Sequence, residues 1–318
     1  EVALVHQSRA APLVAGIAMK TGLRATVFHH GNATFWAVDP LLKLQRRQRW
    51  GVLSVGACTG HQYLFRTGFS DAGLPTEFWF AADSRFRPQS SAAVTLSYDH
   101  LLMGNAYRVE LELYAKWLRH QVEYSGNIYD FLYNEYDLNR MLLTGQGHNY
   151  GLNLLIEKRK GRITGWVSYA YGRARRRFEQ KGYAGWYPAS HERPHELNAV
   201  ATYRLRRHWS FGATFVYASG TPFTLPRQFY LVAGNIVSEF SRHNEFRVHP
   251  YLRLDVSASY DFNTRPGRRS GLNFSVYNVT DHNNDIFYRL KFHNDGFALR
   301  PFRFVLPVMP SLNYYYHF

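Results

Sequence analysis

The chain has 318 residues, carries 38 Lys and Arg against 23 Asp and Glu, and draws 17% of its residues from Phe, Trp and Tyr. No run approaches the ~18 consecutive apolar residues of a membrane-crossing helix, which excludes a helical membrane protein but not a barrel, whose strands hide their apolar residues in alternation. Cys58 is the single cysteine, so an intrachain disulfide and a cysteine-rich metal site are both excluded.

A net charge of +15 invites a nucleic-acid reading, yet the basic residues fall in short clusters, at 46–49, 173–177 and 265–269, between apolar-alternating segments. A nucleic-acid reader concentrates its charge on one element, whereas turns facing anionic lipid headgroups or polysaccharide are charged in this scattered way. Nucleic acid is therefore not expected as a partner. The sequence opens at Glu1 directly in alternating residues. A secretory leader is then expected either to have been removed or to belong to a longer chain.

Along the chain, residues 92–98 give a first weak alternation. Residues 107–117 give the clearest one. Tyr107, Val109, Leu111, Leu113, Ala115 and Trp117 share one face, opposite Arg108, Glu110, Glu112, Tyr114 and Lys116. Weaker strands follow at 150–156, 163–171, 197–205 and 209–217, where Ala170, Gly212 and Ala218 on the second face suit close packing. Residues 252–262 repeat the clear pattern, with Leu252, Leu254, Val256, Ala258, Tyr260 and Phe262 opposite Arg253, Asp255, Ser257, Ser259 and Asp261. Residues 272–276 add a short strand, and the last ten residues place Leu312, Tyr314, Tyr316 and Phe318 on one face. Two-faced runs of this length match the ~9–11 residues with which a tilted strand crosses a bilayer. Helical periodicity loses to period two throughout.

The connections alternate in length. Residues 158–161 and 206–208 are short, whereas 125–147, 173–194 and 219–250 are long, polar and aromatic. Short turns on one rim and long loops outside the cell describe an outer-membrane barrel. In such a barrel Arg108, Glu110, Glu112, Lys116, Arg253 and Asp255 line the lumen, in ion-pair ladders across strands or against a plug. The loop aromatics Tyr129, Tyr133, Tyr136, Trp186, Tyr187 and Phe223 either bind ligand at the outer mouth or pack the loops together.

Three chemical motifs fall away. His191-Glu192-Arg193-Pro194-His195 matches the zinc-protease pattern His-Glu-x-x-His, but that pattern works on a helix, and Pro194 both removes a helix hydrogen bond and turns Arg193 from the α conformation. The other histidines, such as His243, His249, His293 and His317, share no ligand spacing, so no metal or other cofactor is expected. No Gly-x-Ser-x-Gly elbow anchors a nucleophile, and the chain is not expected to be an enzyme.

Eight stretches taken in order resemble the carboxyl-terminal barrel portion of TonB-dependent outer-membrane receptors, in the form common among Bacteroidetes. They are residues 74–79, 87–91, 145–152 (Gly-Gln-Gly-His-Asn-Tyr-Gly-Leu), 161–169, 187–189, 191–197, 217–222 (Tyr-Ala-Ser-Gly-Thr-Pro) and 274–281, closed by Phe318. Where the family has Tyr-Asp-Arg-x-His, this chain keeps Arg193 and His195 and has Glu192 in place of the Asp. The resemblance implies an all-β antiparallel transmembrane barrel of 22 strands around an amino-terminal plug, with energy for uptake supplied through TonB. Its partners would be membrane lipid and lipopolysaccharide, the plug and the TonB complex. The length allows only about 12 to 14 spanning segments. Residues 1–318 are therefore expected to be the carboxyl-terminal part of one barrel domain with its plug outside this chain, one piece of a split barrel, or a smaller free-standing barrel. The function expected is import of a scarce or bulky nutrient: a siderophore, cobalamin, glycan or peptide. The alternative is a receptor-like barrel that scaffolds surface lipoproteins or secretion without transport.

Overall fold

Period-two alternation demands that each strand find partners on both sides and bury or expose whole faces together. The computed structural model describes residues 1–9, 16–68, 77–124, 142–178, 185–232, 235–265, 268–293, 296–303 and 306–317. Within them the demand is met by one antiparallel meander in which each wall strand pairs with the next along the chain. The thirteen wall strands are β1 (Val2–Arg9), β2 (Ile17–His30), β3 (Ala33–Gln48), β4 (Gly51–Gln62), β5 (Gln89–Leu102), β6 (Tyr107–Tyr124), β7 (Leu142–Lys158), β8 (Ile163–Phe178), β9 (His195–Arg204), β10 (Trp209–Ala218), β11 (Tyr251–Arg265), β12 (Arg268–Tyr277) and β13 (Met309–His317). No α-helix occurs among the described residues.

Register aligns the two faces across the sheet. Val109 lies opposite Ile156, which lies opposite Val167, and Leu272 lies opposite Tyr314 as Phe274 does opposite Leu312. Arg108 lies opposite Glu157, and Glu112 opposite Asn153 and Ser97. The apolar face is left uncovered: Trp36 is 79% exposed, Leu312 67% and Tyr314 64%. Contiguous apolar surface on this scale is disfavoured in water and mild in hydrocarbon. An apolar face of this extent is the one a barrel wall turns to lipid, and the polar face is the one it turns to the lumen.

The two rims differ as the sequence suggests. The connections at 49–50, 103–106, 159–162 and 205–208 make one rim, and at the other the chain passes from β4 to β5, β6 to β7, β8 to β9, β10 to β11 and β12 to β13 by longer stretches. One connection departs from this rule. Gly31 and Asn32 join β2 to β3 at the long-connection rim, with Gly31 at φ +57° as a two-residue hairpin requires. The long connections are also more ordered than loops: Leu64–Gly68 pairs with Glu77–Ala81, Pro226–Val232 with Asn235–Phe240, and Asp285–His293 with Gly296–Arg303. Residues 142–147 and 173–178, expected in loops, are strand.

The wall forks once. The β3–β4 ladder runs only from Leu41↔Cys58 to Gln48↔Gly51. Beyond it β3 stays with β2 while β4 stays with β5. The largest apolar cluster gathers there: Phe28 and Ala37 from one arm, Tyr63, Phe65, Ala82 and Phe86 from the connection after β4, and Tyr124 with Leu142.

Candidate functional site: the lumen face and the long-connection rim

On the lumen face the charges expected there largely neutralise one another. Arg108 lies 2.5 Å from Asp99 and 2.8 Å from Glu110, and Asn153 donates to Glu112 at 3.3 Å. Lys116 has no ion-pair partner among the described residues. The Nε of Arg253 is 3.1 Å from Asp255, near enough to pair in charge but not aligned for a hydrogen bond. Its Nη1 donates to the hydroxyls of Tyr251 and Tyr277, and the guanidinium lies 4.9 Å above the Tyr277 ring. Asp255 accepts the N–H of Asn278, which sits at φ 50° and turns the chain out of β12.

At the long-connection rim the central feature is Glu192. Strand β9 begins only at His195, whereas β8 continues to Phe178, so the upper edge of β8 needs acceptors from elsewhere. Pro194 accepts the N–H of Gly172 through its carbonyl at 3.0 Å, and the Glu192 carboxylate accepts that of Ala174 at 2.8 Å. The carbonyl of Ala174 takes the N–H of Ala189, after which Tyr187 and Pro188 pair with β8 as a short strand. The carboxylate is 1% exposed and is surrounded by cations. Arg247 bonds it directly, Arg173 stands 3.5 Å away and Arg175 3.9 Å. Arg247 also donates to the carbonyls of Glu192 at 3.1 Å and Gly220 at 3.0 Å, so one guanidinium joins two connections. The zinc-protease pattern is thus a turn leading into β9. His195 donates its N–H to Ser219 Oγ, and its ring lies 2.8 Å from the Tyr169 hydroxyl.

The aromatics singled out in the sequence sit in different places. Tyr129, Tyr133 and Tyr136 lie outside the described residues. Trp186 is exposed, its ring 4.4 Å from that of His148. Tyr187 is buried, donates to Glu123 at 2.9 Å and meets the His243 ring edge-on at 4.7 Å, while His243 lies 2.7 Å from the other Glu123 oxygen. Phe223 stacks on Tyr288 at 5.3 Å and so ties the connection after β10 to the one after β12.

A second polar latch reinforces that tie and was invisible in the sequence. Asp285, its side chain 3% exposed, accepts from Arg303 at 3.0 Å and Tyr288 at 3.1 Å and lies 2.8 Å from His249. Burial pushes its pKa up, but the hydrogen bonds from His249, Arg303 and Tyr288 outweigh it and hold the carboxyl below the usual range. His249 and Asp285 stand far apart in the chain, so no local spacing announces them. Among the described residues no three metal-ligating side chains converge.

Several solved structures share this fold. FpvA of Pseudomonas aeruginosa, solved bound to heterologous pyoverdines, matches 90% of this chain and 35% of its own with a TM-score of 0.62 at 10% identity. The FrpB iron transporter from Neisseria meningitidis matches 98% of this chain and 43% of its own at 0.59 and 12%. The ferric-catecholate import receptor Fiu from E. coli K12 matches 98% and 44% at 0.58 and 12%. The chain therefore spans less than half the length of each of these receptors. No protein-family model and no curated protein matches the sequence. The fold is that of the wall of an outer-membrane receptor barrel, and the neighbours are receptors and transporters rather than enzymes.

Proposed function

We propose that this chain is the carboxyl-terminal part of the wall and outer rim of a TonB-dependent outer-membrane receptor that imports a scarce or bulky nutrient, an iron chelate foremost. The observation that carries the proposal is the meander itself, apolar on one face, self-neutralised on the other, and similar over nearly its whole length to receptors named for ferric ligands. The motifs quoted above favour the Bacteroidetes form. In this reading Arg108, Glu110, Glu112, Lys116, Arg253 and Asp255 face a plug supplied by sequence outside this chain. Pairing along the wall leaves that plug a surface without large uncompensated charge, against which a domain can pack and still move. Ligand contact falls to the long-connection rim, where Trp186 offers an exposed ring; Tyr129, Tyr133 and Tyr136 are candidates on the sequence alone. Tyr187 and Phe223 fix the backbone around Trp186.

The test is uptake of radiolabelled iron, supplied as ferric chelates, by cells lacking the full-length gene. Uptake of one chelate should fall to the level of cells treated with a protonophore and return on complementation. Unchanged uptake of every nutrient class, with surface lipoproteins lost instead, would replace the importer with the scaffold.

A further inference from the structure

Unpaired positive charge gathers at the short-turn rim. Arg46, Arg47 and Arg49 lie at the β3–β4 turn, Arg162 at the β7–β8 turn, and Arg206 with Arg207 at the β9–β10 turn. All six are exposed, and none has a carboxylate partner among the described residues. Cations elsewhere on this rim do find partners: Arg159 meets Glu157 at 2.7 Å, Lys160 donates to the Gly104 carbonyl at 2.6 Å, and Lys158 lies over the Tyr107 ring. The unpaired arginines are therefore not simply a consequence of a basic composition.

Their neighbours are apolar and exposed. Trp50 follows Arg49, Ile163 follows Arg162, and Leu205 and Trp209 bracket the Arg206–Arg207 pair. Ile163 lies opposite Tyr203, and Tyr203 opposite Phe211, on the lipid-facing stripe. Counted along the chain at ~3.3 Å per residue, the backbone of each arginine stands within about 10 Å of that of an exposed apolar residue. Between the β7–β8 turn and the end of β9 lies an open recess of about 560 Å³, lined in part by Lys158, Lys160, Thr164 and Arg204.

We propose that this rim is a binding surface for anionic phospholipid. Phosphodiester oxygens accept from the arginines at the turns while the acyl chains lie along the apolar face. The proposal rests on the outer-membrane reading, in which short turns face the periplasmic, phospholipid leaflet. A basic residue at an anionic surface is worth roughly 1 kcal/mol, or about fivefold, and the attraction is screened by salt.

The full-length protein would be folded into phosphatidylcholine vesicles doped with brominated phosphatidylglycerol or brominated phosphatidylcholine, and its tryptophan fluorescence followed. The brominated anionic lipid should quench at least about fivefold more effectively per mole, with the excess removed by high salt. The variant R46Q/R47Q/R206Q/R207Q should insert normally and lose most of the excess. Equal quenching by both lipids in the unaltered protein, or an excess kept by the variant, overturns the proposal while leaving the barrel reading intact. Failure of the unaltered protein to insert into neutral vesicles overturns the outer-membrane reading beneath it.

Discussion

The carboxylate of Glu192 takes the backbone N–H of Ala174 at 2.8 Å, standing in for the strand that β8 lacks at that height. A side chain thereby completes a sheet edge, and Arg247, Arg173 and Arg175 neutralise it. Removing one member of a buried charge network costs about 3–5 kcal/mol, because the others are left uncompensated. Glu192→Ala should lower the unfolding midpoint accordingly, read as the temperature at which the barrel loses its compact mobility on gels. Glu192→Gln keeps an acceptor for Ala174 and should cost less. An alanine variant as heat-resistant as the parent would show that the cage is ornamental.

Gly220 should tolerate no side chain. A Cβ there would fall on the carbonyl of Val248, whose own N–H bonds the Thr221 carbonyl, so neither backbone is free to withdraw. Overpacking of this kind costs about 1–3 kcal/mol. It should also release Arg247 from the Gly220 carbonyl and open residues 219–250 to protease. Gly60→Ala is the control, since its Cβ would meet only Ser91 Oγ at 3.5 Å, and cleavage rates equal in the two variants would refute the crossing.

The wall from β5 onward is largely legible in the sequence and the rim is not, for a physical reason. Alternation along residues 107–117 and 252–262 reports a local property, the two faces of one strand, and both segments lie inside β6 and β11. Alternation in β6 fails at its upper end because the bulge at His120, φ 53°, shifts the period by one residue. Strands β1 to β4 lie outside the segments read as strands, although the Gly31-Asn32 pair is a hairpin signal at the β2–β3 boundary. The rim depends on Glu192 meeting Arg247 and on His249 meeting Asp285, pairs that only the folded chain brings together. The motifs around 191–197 and 217–222 did flag the segment, and Glu192 and Gly220 supply the physical reason.

The Asp285 latch fixes how the rim responds to acid. Its carboxyl titrates below the ordinary value of 3.8 when folded. The stability it contributes is therefore complete above that value, and is lost as pH falls through the lower folded one. Protease sensitivity of residues 285–303 should accordingly be flat on this group's account from about pH 5 to 8 and rise only in stronger acid. Asp285→Asn should raise sensitivity at neutral pH and flatten the acid limb. A transition near neutrality that survives in Asp285→Asn would assign the pH response to some other group.

Asp39 holds the fork in the wall. Its Oδ1 accepts from Thr59 at 3.1 Å and lies 2.7 Å from His61 Nδ1, joining β3 to β4 where their backbone ladder has already ended at Leu41↔Cys58. The side chain is buried beside the cluster of Phe28, Ala37 and Tyr63, so its loss would be felt locally. Asp39→Ala forfeits these bonds, worth about 1–3 kcal/mol with the partners left unsatisfied. Amides at 33–40 and 59–62 should then exchange faster, while those at 43–48, held by the intact β3–β4 ladder, keep their protection. A cycle with His61→Ala separates the contact from the packing. Coupling of about 0.5 kcal/mol or more assigns the clasp to the Asp39–His61 pair. Strictly additive single effects would leave the apolar cluster alone to close the fork.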